Sequence, residues 1–206
     1  MATVRSLSVF CGSCSGINGR HREAAARLGA ILAEEGVELV FGGARIGLMG
    51  VLADAALGAG GRVIGVMPES LTSRELAHPG VNDMIVVASM HARKQKMFEI
   101  SDACAVLPGG FGTLDETFEI ITWKQIGLHD KPIVLVDNDG YWKPLGALLD
   151  HVIAEGFAGP EARTLFAVVE SVDDLLPVLA ALPEPAIRRP RLKGPSPRPR
   201  HAVPGR

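Results

Sequence analysis

Short, almost uninterrupted apolar runs alternate along this chain with segments of helical periodicity. That alternation constrains the fold more than any other feature. The predicted strands are residues 4–11, 38–41, 62–67, 83–87, 103–107, 132–136 and 165–169. A strand with one wet face would alternate apolar and polar residues, and these do not, so both faces of the sheet must be covered. Between them, residues 19–35, 46–59, 89–101, 113–126, 141–155 and 172–182 read as helices. The first places Ala24, Leu28, Ile31 and Leu32 on one side. Strand and helix in strict succession give an α/β chain with a doubly wound parallel sheet, three layers deep. In such sheets ligands sit beyond the strand C-termini, where the strand order reverses.

With 206 residues one domain is expected, and 47% apolar against 21% charged residues is the balance of a soluble globular protein. No apolar run is long enough for a membrane span and no secretory leader pattern opens the chain, so a cytoplasmic protein is expected. The net charge of −2 is unevenly spread. Residues 183–206 hold seven Arg or Lys and one Glu, with many prolines and little apolar content. Such a segment cannot bury enough surface to fold, so residues 1–182 are taken as the domain and 183–206 as a disordered tail. The tail has no aromatic side chain for stacking on bases, which argues against a nucleic-acid partner. Three cysteines, Cys11, Cys14 and Cys104, make an odd set without a disulfide framework. Cys11-x-x-Cys14 lacks the second pair that zinc would need and reads as two thiols in a strand-to-loop turn.

Three small-residue loops follow three predicted strands: residues 12–16, 42–47 and 108–112. Such loops let backbone N–H groups approach an anion, and a helix N-terminus behind them adds partial positive charge. In the third, Pro108-Gly109-Gly110-Phe111-Gly112-Thr113-Leu114-Asp115-Glu116, an acid is expected in the first helical turn beside the anion. That placement favours an ionised Glu116. Thr113-x-x-Glu116 also reads as a helix capping box, a structural role that competes with chemistry for the same carboxylate. Phe111 is suited either to stack on a base or to cover the loop.

Familiar nucleotide signatures fail. The first loop is not G-x-G-x-x-G, the second strand ends in glycine rather than a ribose-binding acid, and no Gly-Lys-Ser/Thr follows a glycine loop. Asp137-Asn138-Asp139-Gly140 has Leu148 where a calcium loop needs its twelfth ligand, so a plain turn is expected. The six histidines show no ligand spacing, and no metal or cofactor is expected. Upstream, Met90-His91-Ala92-Arg93-Lys94 opens a helix. Lys94 and Lys96 read as a solvated face, but Arg93 stands four residues before Met97 on the inward row. A guanidinium there needs an acidic or phosphate partner.

These residues resemble the LONELY GUY family of cytokinin riboside 5′-monophosphate phosphoribohydrolases. The resemblance spans about residues 4–182. It rests on P-G-G-x-G-T-x-x-E at 108–116, M-H-x-R-K at 90–94, G-L-M-G at 47–50, and Thr122-Trp123-Lys124-Gln125 with the following Gly127-Leu128-His129-Asp130-Lys131-Pro132. Cys14 and Ala44 stand where the family usually has serine and glycine. The resemblance implies a Rossmann-like homodimer that cleaves the N-glycosidic bond of an N6-modified AMP, releasing free base and ribose 5-phosphate. A general AMP nucleosidase and a non-catalytic nucleotide carrier are the alternatives. It implies Arg93 and Glu116 as the catalytic pair, and Gly110, Phe111, Gly112, Thr113, Leu114 and Asp115 as the phosphate and ribose loop. Glu75, Arg93, Lys94 and Thr122 are implied as further contacts, and Ser13, Gly43 and Gly109 are expected contacts from the three loops. A pyridoxal-phosphate lysine has no motif here.

Overall fold

A computed structural model describes residues 4–72 and 76–183. Seven parallel strands form one sheet in the order β4-β3-β2-β1-β5-β6-β7. The strands are β1 (Ser6–Phe10), β2 (Glu38–Phe41), β3 (Val63–Pro68), β4 (Asp83–Val87), β5 (Ala103–Val106), β6 (Ile133–Val136) and β7 (Ala167–Val169). The inner strands β1, β3, β5 and β6 are buried along their whole length, as continuous apolar runs require. The edge strands β4 and β7 are not, and Val86 and Val168 are about half exposed.

The helices are α1 (Gly19–Glu34), α2 (Gly47–Gly58), the single turn α3 (Glu69–Thr72), α4 (Met90–Ile100), α5 (Phe111–Gln125), α6 (Lys143–Ala154) and α7 (Leu175–Ala181). Two apolar cores lie on opposite faces of the sheet. One joins α1, α2 and α7 to the strands through Leu28, Leu32, Leu52, Leu175 and Leu179. The other joins α4, α5 and α6 through Met97, Ile120, Ile121 and Leu145. Fully burying a side chain of this size contributes roughly 1.5–3 kcal/mol. On α1 the buried set is Ala25, Leu28, Gly29, Ile31 and Leu32; Ala24 is half-buried, one position off the predicted stripe. Met49, Met67 and Met97 fill the cores as expected. Among the described residues no helix is long and apolar enough to cross a membrane.

The chain winds outward from β1 through β2 and β3 to β4, then returns along α4 to place β5 on the other side of β1. The order therefore reverses between β1 and β5. The long return makes α4 pass beneath β3, which puts its inner face under the C-terminal ends of the first three strands. At the opposite edge the strand starts are tied down: Asp102 Oδ2 accepts from the backbone N–H groups of Arg5 and Ser6 at 3.0 Å each.

Candidate active site at the strand reversal

The three glycine loops meet at the reversal point. The N–H of Gly12, after β1, donates to the carbonyl of Pro108, after β5, at 3.1 Å. The N–H of Leu48 donates to the carbonyl of Gly12 at 3.0 Å. Gly47 has φ +60°, and a Cβ there would stand 2.2 Å from the carbonyl carbon of Ser13, so only glycine lets the first two loops touch. Ser13, Gly110, Phe111 and Gly112 are exposed where these loops meet. Gly109 is partly covered, and Thr113 is buried beneath it.

Arg93 from α4 and Glu116 from α5 form one buried ion pair. Arg93 Nη1 donates to Glu116 Oε1 at 2.9 Å, and each residue is 7% exposed. Arg93 Nε donates to the Val66 carbonyl on β3 at 3.1 Å, which fixes the guanidinium plane. Its Nη2 lies against Met49 Sδ at 4.0 Å. The acid partner that the inward position of Arg93 demanded is thus Glu116. The glycine that admits it escaped the sequence reading: a Cβ on Gly42 would stand 1.6 Å from Arg93 Nη2. The signal was present in Gly42-Gly43 at a strand end, but it read as an anion turn.

Two expectations about Glu116 fail. Helix α5 starts at Phe111 with Gly110 as its N-cap, two residues earlier than predicted, so Glu116 sits in the second turn. Thr113 is then inside the helix, no side chain caps it, and no capping box exists. Glycines mask helix starts in sequence, because they match no periodicity. The helix dipole fades beyond the first turn and does not hold Glu116 ionised. Burial instead pushes the Glu116 carboxyl above its ordinary range, with the Arg93 guanidinium pulling it back. Its second oxygen, Oε2, makes no hydrogen bond among the described residues and is not sealed from solvent. One oxygen is anchored, the other free to meet water or a reacting carbon.

Lys94 is not on a solvated face. Its side chain is 13% exposed and binds Asp115 Oδ2 at 2.8 Å and Glu119 Oε2 at 3.0 Å, lacing α4 to α5. Burial would lower its pKa, but the two carboxylates outweigh that and raise it. Cys11 is buried near the pair; burial and the Glu116 charge raise its thiol pKa, so it stays protonated and unreactive. Cys14 is exposed and both thiols are free, as a strand-to-loop turn would leave them.

Other predicted contacts scatter. Phe111 is 92% exposed, so it does not cover the loop. Leu114 packs against the α4–α6 core. Gly43 is buried under the segment after α3, where its carbonyl accepts from the N–H of His78 at 2.8 Å. Glu75 lies outside the described residues. Thr122 is exposed six residues beyond Glu116, roughly 9 Å further along the helix axis. Asp137–Gly140 is a turn, as expected, with Asp139 in the left-handed region at φ 59°. Arg20 Nη1 at 2.8 Å and Asn18 Nδ2 at 2.9 Å hold its carboxylate. Among the described residues no His, Cys, Asp and Glu cluster of metal-binding form occurs.

Comparisons with known proteins fit this arrangement. The family model described as "Possible lysine decarboxylase" matches residues 49–179. The chain is similar to the cytokinin riboside 5′-monophosphate phosphoribohydrolase of Rhodococcoides fascians, with 44% identity over 172 residues, 83% of this chain and 87% of the relative. It is also similar to an Arabidopsis thaliana protein of the same name, with 42% identity over 84% of this chain and 81% of the relative. Among solved structures it is similar in fold to the molybdenum cofactor binding protein of Rippkaea orientalis. That match has a TM-score of 0.65 and 22% identity, covering 85% of this chain and 94% of the other. The molybdenum cofactor carrier protein of Chlamydomonas reinhardtii matches at TM-score 0.64 and 22% identity, over 85% and 96% of the two chains.

Proposed function

The chain belongs to the cytokinin riboside 5′-monophosphate phosphoribohydrolase family, and from that premise we infer how its own residues carry the reaction. The enzyme hydrolyses the N-glycosidic bond of a cytokinin nucleotide, an N6-modified AMP, giving the free base and ribose 5-phosphate. The observation that carries the residue assignment is the buried Arg93–Glu116 pair at the strand reversal, with one carboxylate oxygen left open.

The exposed N-terminus of α5 and its glycines receive the 5′-phosphate, because the first N–H groups of a helix have no intrahelical partner. Departure of the base builds positive charge on the ribosyl carbon. Glu116 Oε2 faces that carbon, stabilises the charge and takes a proton from the attacking water. A carboxylate with a raised pKa is the stronger base for that step. Arg93 remains charged, so it is no proton donor; it holds Oε1 so that Oε2 is the oxygen presented. With Arg93 bound on two sides inside the protein, its part is to position Glu116. Phe111 is placed to stack on the adenine. The lysine-decarboxylase description finds no counterpart in the site, where Lys94 is tied to Asp115 and Glu119.

The active unit is a homodimer. Phe118 and Thr122 on α5, with Ile126 at its C-cap, make an exposed row continued by Leu128, and the three apolar members are 37%, 62% and 66% exposed. A second copy seated on that row would bring Thr122 to the partner's crevice, which explains its distance from Glu116 in its own chain. The test is incubation with AMP and with N6-isopentenyl-AMP, followed by chromatography for free base. Release from the modified nucleotide is expected. Release of adenine from AMP alone would make this a general AMP nucleosidase, and no release from either would leave a nucleotide carrier.

A further inference from the structure

The fourth loop at the reversal edge follows β6; residues 137–140 read in the sequence as a plain turn, yet with Tyr141 the loop reaches the anion turn. Tyr141 Oη donates to the Gly109 carbonyl at 2.5 Å. Its ring is wedged edge-on between His21, 5.6 Å away, and Trp142, 4.8 Å away, so the hydroxyl has little freedom. The loop itself is anchored twice. Trp142 is buried, with its backbone N–H on Asp137 Oδ1, and Asp139 is clamped from α1 by Arg20 and Asn18.

We propose that Tyr141 is a positioning residue for the phosphate turn: it locks the Gly109–Gly110 peptide in its ligand-receiving orientation. A peptide unit is rigid, and its N–H lies antiparallel to its C=O. Holding the Gly109 carbonyl on Tyr141 therefore fixes the direction of the Gly110 N–H. Gly-Gly peptides flip readily, because neither residue restricts its own dihedrals. This peptide opens the turn whose N–H groups would bind the phosphate, and a Cβ on Gly110 or Gly112 would meet nothing within 4 Å. Open space on the ligand side leaves Tyr141 to hold the plane from behind. The clamp on Asp139 ties the same loop to the start of α1.

The proposal rests on the nucleotide-hydrolase reading, and the experiment separates the two. Binding of ribose 5-phosphate is measured calorimetrically on the full chain and on Tyr141→Phe, beside KM and kcat for N6-isopentenyl-AMP. Losing one net hydrogen bond predicts ribose 5-phosphate binding and KM weakened about fivefold, with kcat changed less than twofold and the melting temperature lowered by about 2–4 °C. Free adenine, which has no phosphate, should bind both proteins equally. Arg20→Gln, which loosens the Asp139 clamp, should weaken ribose 5-phosphate binding in the same direction but by less. Equal ribose 5-phosphate affinity in wild type and Tyr141→Phe overturns the proposal, as does parallel loss of adenine and ribose 5-phosphate binding. Failure of the wild type to bind ribose 5-phosphate would overturn the underlying reading instead.

Discussion

The two ends of the same strands carry opposite kinds of ion pair. At the starts of β2, β3 and β4, Arg62 bonds Glu38 and Asp83 at 2.5 and 2.7 Å, with its side chain 61% exposed. At the finishing ends, Arg93 and Glu116 make one pair with side chains 8% and 9% exposed. The chemistry of the partners is the same; the solvent is not. In water each charge keeps its hydration, and such a pair contributes about 0.2–1 kcal/mol. Out of water the carboxylate loses hydration that a single guanidinium does not fully replace, and its proton affinity rises. The exposed pair trims strand ends, whereas the buried one holds a carboxylate whose proton affinity burial has raised.

The largest effect should come from Glu116→Gln. Turnover is expected to fall on the order of 100-fold or more, because the amide cannot accept a proton. The amide oxygen can still accept from Arg93, and the desolvated charge is gone, so the melting temperature should match or exceed wild type. Near-normal turnover would remove Glu116 from the chemistry. A clear drop in melting temperature would show that the buried pair exists for stability, like an ordinary structural contact.

Next in size is Gly42→Ala. The added methyl needs the space of Arg93 Nη2, so the guanidinium must leave Val66 or Glu116. Turnover should fall at least tenfold, with stability lowered by about 1–3 kcal/mol through overpacking. Full activity would mean that the pair tolerates displacement and that its geometry is not critical.

A pH series sharpens the same contrast. In the role proposed for it Glu116 acts ionised, so kcat should decline as pH falls through its folded-state pKa, which burial raises above the ordinary 4.5. Its share of stability runs the other way. The folded protein holds this proton more tightly than the unfolded chain, so stability from Glu116 is present below 4.5 and is lost as pH rises through the folded value. Denaturant titrations of wild type and Glu116→Gln across that range should diverge with rising pH in favour of the variant. An acid limb at or below 4.5 would contradict the burial argument. The smallest effect belongs to Arg62→Ala: under 1 kcal/mol in denaturant unfolding and unchanged turnover.

The sheet was legible because each inner strand must be apolar on both faces, a demand that leaves continuous runs such as Leu39–Phe41 and Ala103–Leu107 in the text of the chain. Arg93 was legible because its place on the Met97 row left it no route to water. The start of α5 was not legible, since Gly110 and Gly112 fit a loop as well as a helix. Gly42 read as an anion turn, because the side chain it accommodates comes from 51 residues away. Tyr141 gave no signal at all: its partner is a backbone carbonyl on another strand's loop.

What the sequence alone determined was local and periodic: which segments are strands, which face of α4 turns inward, and that glycine loops crown three of the strands. What only the tertiary structure decided was which of those loops touch, that Glu116 stands in the second turn, buried against Arg93 of α4, and that Tyr141, in the loop after β6, bonds the Gly109 carbonyl. Those depend on distances between segments remote in sequence, and on how much water packing leaves around a charge.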